Sequence, residues 1–227
     1  GLVTAFAPAA QADTLHTIGF AEGYQTFGLS TGQSVRTGGF EGEWNDEDII
    51  FWCIQLNQFF AFGNNYTGYI PYPDTGDVPK ADNNPTPQMD AMVMTLLGKL
   101  FTRAYSSALL DTDHSAAFQL AIWEIVYDPT NLNLSNSGGS GGAFYVTQTN
   151  NHSNTMTLAQ GWLTDLGSFT DKYNLIFLED RTHQDFVTGR PPFSQSVPEP
   201  HGLALVALAM LAMVGILQGR RRRVARA

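Results

Sequence analysis

The chain has 227 residues, 43% of them apolar and 12% aromatic, enough to bury one substantial core, which excludes both a wholly disordered chain and a disulfide-stapled miniprotein. Its net charge of -9 is uneven: Arg220, Arg221, Arg222, Arg223 and Arg226 hold five of the 12 basic residues, leaving seven against 21 acidic residues before residue 200, a net of -14. A surface that acidic repels phosphate backbones and sets nucleic acid aside as a partner of the folded part.

Residues 1–12 end in Ala10-Gln11-Ala12, the small-x-small form that signal peptidase accepts, and read as the rear of an export signal. A single domain is expected over 13–188, with no internal repeat. It opens with strands at Thr14 to Phe20 and Tyr24 to Leu29, then a long aromatic-rich apolar run from Ile49 to Phe62. Gly63 to Thr86 has loop chemistry: Asn, Pro, Asp, Gly and Tyr. Thr86-Pro87 then starts a helix to about Leu109, with apolar residues at three-and-four spacing. A second helix follows Asp113, expected to cap it, and stops before Asp128-Pro129. A glycine- and serine-rich loop spans Ser135 to Gly142, a shorter helix Thr157 to Leu166, and closing strands Tyr173 to Leu178 and Asp185 to Thr188. Strands, inserted helices and further strands predict an α+β domain of mixed β-strands with an inserted helical region.

Beyond it lies a linker at 189–200, rich in Pro, Ser and Gln, then an uncharged apolar stretch from Gly202 to Leu217. With its flanks this forms a candidate single transmembrane helix over 201–219, followed by an arginine-rich tail at 220–227. Clustered arginines stay cytoplasmic, so the expected topology puts the C-terminus inside and the domain outside, anchored in the inner membrane. The order Val197-Pro198-Glu199-Pro200, apolar span, Arg220 to Arg223 resembles the PEP-CTERM sorting signal of Gram-negative bacteria. That resemblance implies processing by an exosortase and display at the cell surface or in the extracellular matrix.

Cys53 is the sole cysteine, set in Phe51-Trp52-Cys53-Ile54-Gln55. An exposed thiol outside the cytoplasm oxidises or pairs, so it is either buried as a small hydrophobe or used. Gln119 sits inside a strongly apolar helix, Ser115 to Ile125, where a carboxamide needs partners for both its oxygen and its nitrogen. A thiolate attacking its carbonyl would expel the nitrogen and leave a thioester. Trp52-Cys53-Ile54 and Phe118-Gln119-Leu120-Ala121-Ile122-Trp123 resemble the two segments of bacterial Cys-Gln thioester domains. Phe118 stands where that family has threonine, and Trp52 where tyrosine is more usual. The resemblance implies a Cys53–Gln119 thioester that attaches once to an amine- or hydroxyl-bearing target, here a matrix polysaccharide or protein amine, without turnover.

Phe51, Trp52, Phe118 and Trp123 supply aromatic walls to keep such a bond dry, and His114 is a candidate base as well as a helix-start residue. Glu124 is expected at the surface or a helix interface. Asp46, Glu47 and Asp48, like Asp74 and Asp77, read as solvated loop charge without EF-hand spacing, so the reading requires neither a metal ion nor a cofactor. Two alternatives stand beside it. One is a thiol hydrolase with Cys53 as nucleophile and His114, His152 or His183 as base; the other is a non-covalent carbohydrate-binding or structural matrix domain.

Overall fold

A computed structural model of the protein describes residues 13–73, 91–136 and 139–190. The export-signal, linker and arginine-tail expectations, including Val197 to Pro200 and Arg220 to Arg223, lie outside these residues, as does the Thr86-Pro87 helix start. Among the described residues no helix is long and apolar enough to cross a membrane, and the candidate span at 201–219 falls outside them.

Strands β1 (Leu15–Phe20), β4 (Phe40–Trp44), β5 (Glu47–Cys53), β6 (Asn65–Tyr66), β7 (Ile70–Pro73), β9 (Asn174–Glu179) and β10 (Phe186–Arg190) form a seven-stranded sheet, ordered β6-β1-β4-β5-β10-β9-β7. Strands β2 (Gln25–Leu29), β3 (Ser34–Thr37) and β8 (Val146–Gln148) form a second sheet, ordered β3-β2-β8. Neighbouring strands in both are antiparallel. Three helices, α1 (Ala91–Ala108), α2 (Thr112–Tyr127) and α3 (Ser153–Thr164), complete a sheet-rich α+β fold.

Helix α2 is the hub. Every residue from Ser115 to Val126 is buried, and it packs on α1, α3 and both sheets. A helix wrapped on all sides loses its polar face, which is why its apolar residues run on rather than falling in a stripe. Its cap is Asp111, not the expected Asp113: the Asp111 carboxylate accepts from the His114 backbone N–H at 2.9 Å.

Other boundaries also move. The apolar run from Ile49 to Phe62 is strand only as far as Cys53, where β5 ends and an aromatic loop begins. Helix α3 starts at Ser153 rather than Thr157, and β10 continues to Arg190, past the expected Thr188. Strand β4 was not expected, because Gly38, Gly39 and Gly42 interrupt the alternation, and the short β6 and β7 fall inside the segment expected as loop. All three glycines allow close approach: a Cβ on Gly38 would lie 2.6 Å from the Gly23 carbonyl oxygen. A Cβ on Gly42 would lie 2.3 Å from the His16 carbonyl oxygen, and one on Gly39 2.8 Å from the Trp52 ring. Between β4 and β5, Asn45 and Asp46 take positive φ (54° and 66°), a two-residue hairpin turn that suits their side chains. Asp46 is thus a turn residue, and Glu47 and Asp48 belong to β5.

Candidate functional site

Strand β5 ends at a junction. On one side it pairs with β10, Cys53 opposite Phe186 and Trp52 opposite Val187. On the other it pairs with β4, Phe51 opposite Phe40. Continued by two residues, that register would bring Gly38 opposite Cys53, but β4 begins at Phe40. The vacated place is taken by a side chain of α2. Gln119 accepts the Cys53 backbone N–H on Oε1 at 3.0 Å and donates from Nε2 to the Cys53 carbonyl at 2.8 Å. Its carboxamide therefore acts as a surrogate peptide group at the end of the ladder. One turn earlier on α2, the Ser115 hydroxyl accepts from the Gly39 N–H at 2.8 Å. Residues four apart share a helix face, so Ser115 and Gln119 together bridge the gap where the two strands part.

Cys53 and Gln119, 66 residues apart in sequence, thus meet in the core, 2% and 1% exposed. Burial pushes the Cys53 thiol well above its ordinary range, and the nearby Asp185 carboxylate pushes it the same way. Asp185 precedes Phe186, the strand partner of Cys53; its backbone carbonyl accepts from the Ile54 N–H at 3.0 Å. Burial raises its own carboxyl to about 7, although Oδ1 accepts from the Asp180 N–H and Oδ2 from Gln55.

Alternation along β5 divides the aromatic residues between two sides. Trp52 faces the helices, its ring 4.9 Å from Phe118 and 6.0 Å from Phe101. Phe51 stands on the same side as Cys53, 4.7 Å from Phe186 and 5.6 Å from Phe40. Beside Cys53 a cavity of about 320 Å³ opens, bordered among others by Phe40, Phe60, Phe62, Arg36 and Trp123. Trp123 follows Gln119 by one turn. At the mouth Phe59 is 76% exposed and Phe62 40%, large apolar side chains on the outside of the protein. A larger hollow of about 700 Å³ lies over the seven-stranded sheet, rimmed by Glu41, Glu47 and Asp48, and includes neither Cys53 nor any residue of α2.

The candidate bases stand apart from this cavity, and none of them borders it. His114 bonds Asp111 through Nδ1 at 2.8 Å and packs 6.1 Å from Trp162. His183 bonds Asp180 at 2.9 Å, and His152 packs 5.6 Å from Phe27. Glu124 is fully buried, which sets aside the surface and leaves the interface of the two positions expected of it. Ser115, Gln55, Asp185 and the Phe59 to Phe62 loop were not singled out by sequence reasoning. Only Ser115 left a legible signal, one turn before Gln119 in the same apolar helix.

No family model matches the chain, and no curated protein matches it. Among solved structures it is similar to the N-terminal domain of the Streptococcus pyogenes pilus tip adhesin Cpa, with 11% sequence identity, a TM-score of 0.48, and coverage of 82% of this chain and 97% of that chain.

Proposed function

We propose that Cys53 and Gln119 form an internal thioester through which the protein attaches covalently, once, to an amine- or hydroxyl-bearing target. The observation that carries this reading is the two-point seating of the Gln119 carboxamide on the backbone of Cys53. With Oε1 and Nε2 both fixed on residue 53, the carbon between them is held beside that residue. A cysteine places its sulfur with a single side-chain torsion, so holding the carbon beside that residue is a large entropic advantage over two free groups.

In the step itself Sγ bonds to the Gln119 Cδ, the C–N bond breaks, and the thiol proton leaves with the nitrogen as ammonia. The oxygen that becomes negative on the way already accepts the Cys53 N–H, the arrangement that stabilises a tetrahedral intermediate. The aromatic surroundings keep water from the product, and an attacking amine later releases the thiol and leaves a stable amide. A thiol hydrolase fits less well. It needs a base beside the thiol at every turnover, and the three histidines have other contacts and none borders the cavity. One observation favours a structural reading: the Gln119 carboxamide is hydrogen-bonded through both its oxygen and its nitrogen as it stands, filling the missing strand position.

The wider setting of the proposal rests on sequence. It comprises export, transient anchoring in the inner membrane with the C-terminus in the cytoplasm, exosortase-type processing, and a surface or matrix polysaccharide or protein amine as target. Intact-mass spectrometry of the purified chain, before and after methylamine, tests the chemistry. The expected result is a chain one ammonia lighter than its sequence that gains methylamine at Gln119, with Cys53→Ala showing neither change. Full mass and no adduct in the wild type would leave the structural reading standing.

A further inference from the structure

Two indole N–H groups in the core have no hydrogen-bond partner, those of Trp52 and Trp123. A buried donor left unpaired costs on the order of 1–3 kcal/mol, so each needs an explanation. For Trp52 the explanation is steric. Its ring lies against the backbone at Gly39, where even a Cβ would come within 2.8 Å of Nε1. No described glycine lies against Trp123 in this way. Its residue is 2% exposed, borders the same cavity as Cys53, and lies on the same side of α2 as Gln119.

We infer that the cavity beside Cys53 is the chamber in which a primary amine meets the acyl carbon of residue 119, and that the Trp123 indole N–H, with the Cys53 backbone N–H, binds the oxyanion formed there. This rests on the thioester reading above. The amine nitrogen bonds to the acyl carbon and the carbonyl π electrons move onto oxygen. The C=O then re-forms, the C–S bond breaks with its electron pair going to sulfur, and the thiolate takes the extra proton from nitrogen. The products are an amide and the Cys53 thiol. A donor that is idle in the resting protein and engaged only when charge develops on oxygen gives selective stabilisation of the transition state. None of the side chains bordering the cavity is a carboxylate, and Arg36 supplies its one cation; the amine reacts in its neutral form, the one with a lone pair to attack.

The test follows methylamine addition by intact mass in the full chain, comparing wild type, Trp123→Phe and Trp44→Phe. Trp123→Phe keeps the aromatic wall and loses the donor, so its addition rate falls on the order of 10²-fold, as for other single oxyanion donors. Trp44→Phe, which removes an indole at the separate hollow over the seven-stranded sheet, stays within about threefold of wild type. Equal rates in wild type and Trp123→Phe overturn the inference while leaving the thioester reading intact. A wild-type chain at full mass and inert to methylamine removes both. Should Trp123→Phe fail to fold, wild-type chain grown with 5-fluorotryptophan, whose N–H is a stronger donor, replaces it. A faster addition supports the assignment and an unchanged rate overturns it.

Discussion

The two halves of α2 solve the same problem in different ways. In the N-terminal half Ser115 and Gln119 enter the seven-stranded sheet, and every donor and acceptor they meet is paired. In the C-terminal half Glu124 and Asp128 meet the loop that follows the helix. Glu124 Oε1 accepts from the Asn133 N–H at 2.8 Å, and Asp128 Oδ2 from the Ala143 N–H at 2.6 Å, but Glu124 Oε2 has no partner. A carboxamide carries a donor and an acceptor and can imitate a peptide group; an ionised carboxylate offers acceptors alone. Next to a strand end, where one N–H and one C=O are both open, glutamine fits and glutamate does not. The helix thus places its amide where backbone demands both functions, and its acid where backbone supplies one donor.

The sharpest way to break this contrast is Gln119→Leu, made in the Cys53→Ala background so that no cross-link contributes. Similar volume is retained, while the N–H and C=O of residue 53 lose their partner in the core. The expected loss is about 2–4 kcal/mol by chemical denaturation, the cost of two buried unpaired groups partly relieved by relaxation. A loss under about 1 kcal/mol would show that the carboxamide does not hold the strand end. Ser115→Ala removes the partner of a single buried N–H, that of Gly39, and should cost about 1–2 kcal/mol. The two effects should exceed their sum when combined, since both side chains bridge the same gap between β4 and β5.

How much of this could be read from sequence depended on whether a residue's neighbours were local. Strands β1, β2 and β9 and helices α1 and α2 follow from periodicity and turn residues, because those signals lie within each element. Strand β4 did not, because Gly39 and Gly42 look like breakers until the Trp52 ring and the His16 carbonyl are seen against them. The end of β5 was hidden for a related reason. Ile49 to Phe62 is apolar throughout, and only the pairing partners decide that Cys53 closes the strand while Phe59 and Phe62 turn outward. Cys53 and Gln119 could be named from their types and from a resemblance, but their meeting depends on β4 ending short, a fact of three-dimensional register. For Glu124 helical spacing from Gln119 turns the side chain away from Cys53 but does not choose between surface and interface, since only a helix with an outer face would expose it. Helix α2 has none.

Glu124 also offers the finest test of the contrast. Burial, its largest influence, raises its carboxyl from the ordinary 4.5 to about 8; the Asn133 N–H works against this and the Asp128 charge with it. A carboxyl whose folded value exceeds its unfolded one favours folding while it is protonated. Its contribution is complete below about pH 4.5 and is lost as the pH rises through 8. Glu179, raised to about 8, and Asp185, raised to about 7, act in the same sense, so the domain should weaken steadily between pH 5 and 9. Glu124→Gln keeps the acceptor for Asn133 and cannot ionise. At pH 9 it should exceed wild type by about 1 kcal/mol, roughly 2–4 °C in Tm for a domain of this size, and at pH 5 the advantage should vanish. Thermal melts of the two chains across that range give the answer. Parallel curves would mean that the C-terminal half of α2 accommodates a charge as readily as its N-terminal half accommodates an amide, and the distinction between the two halves would fall.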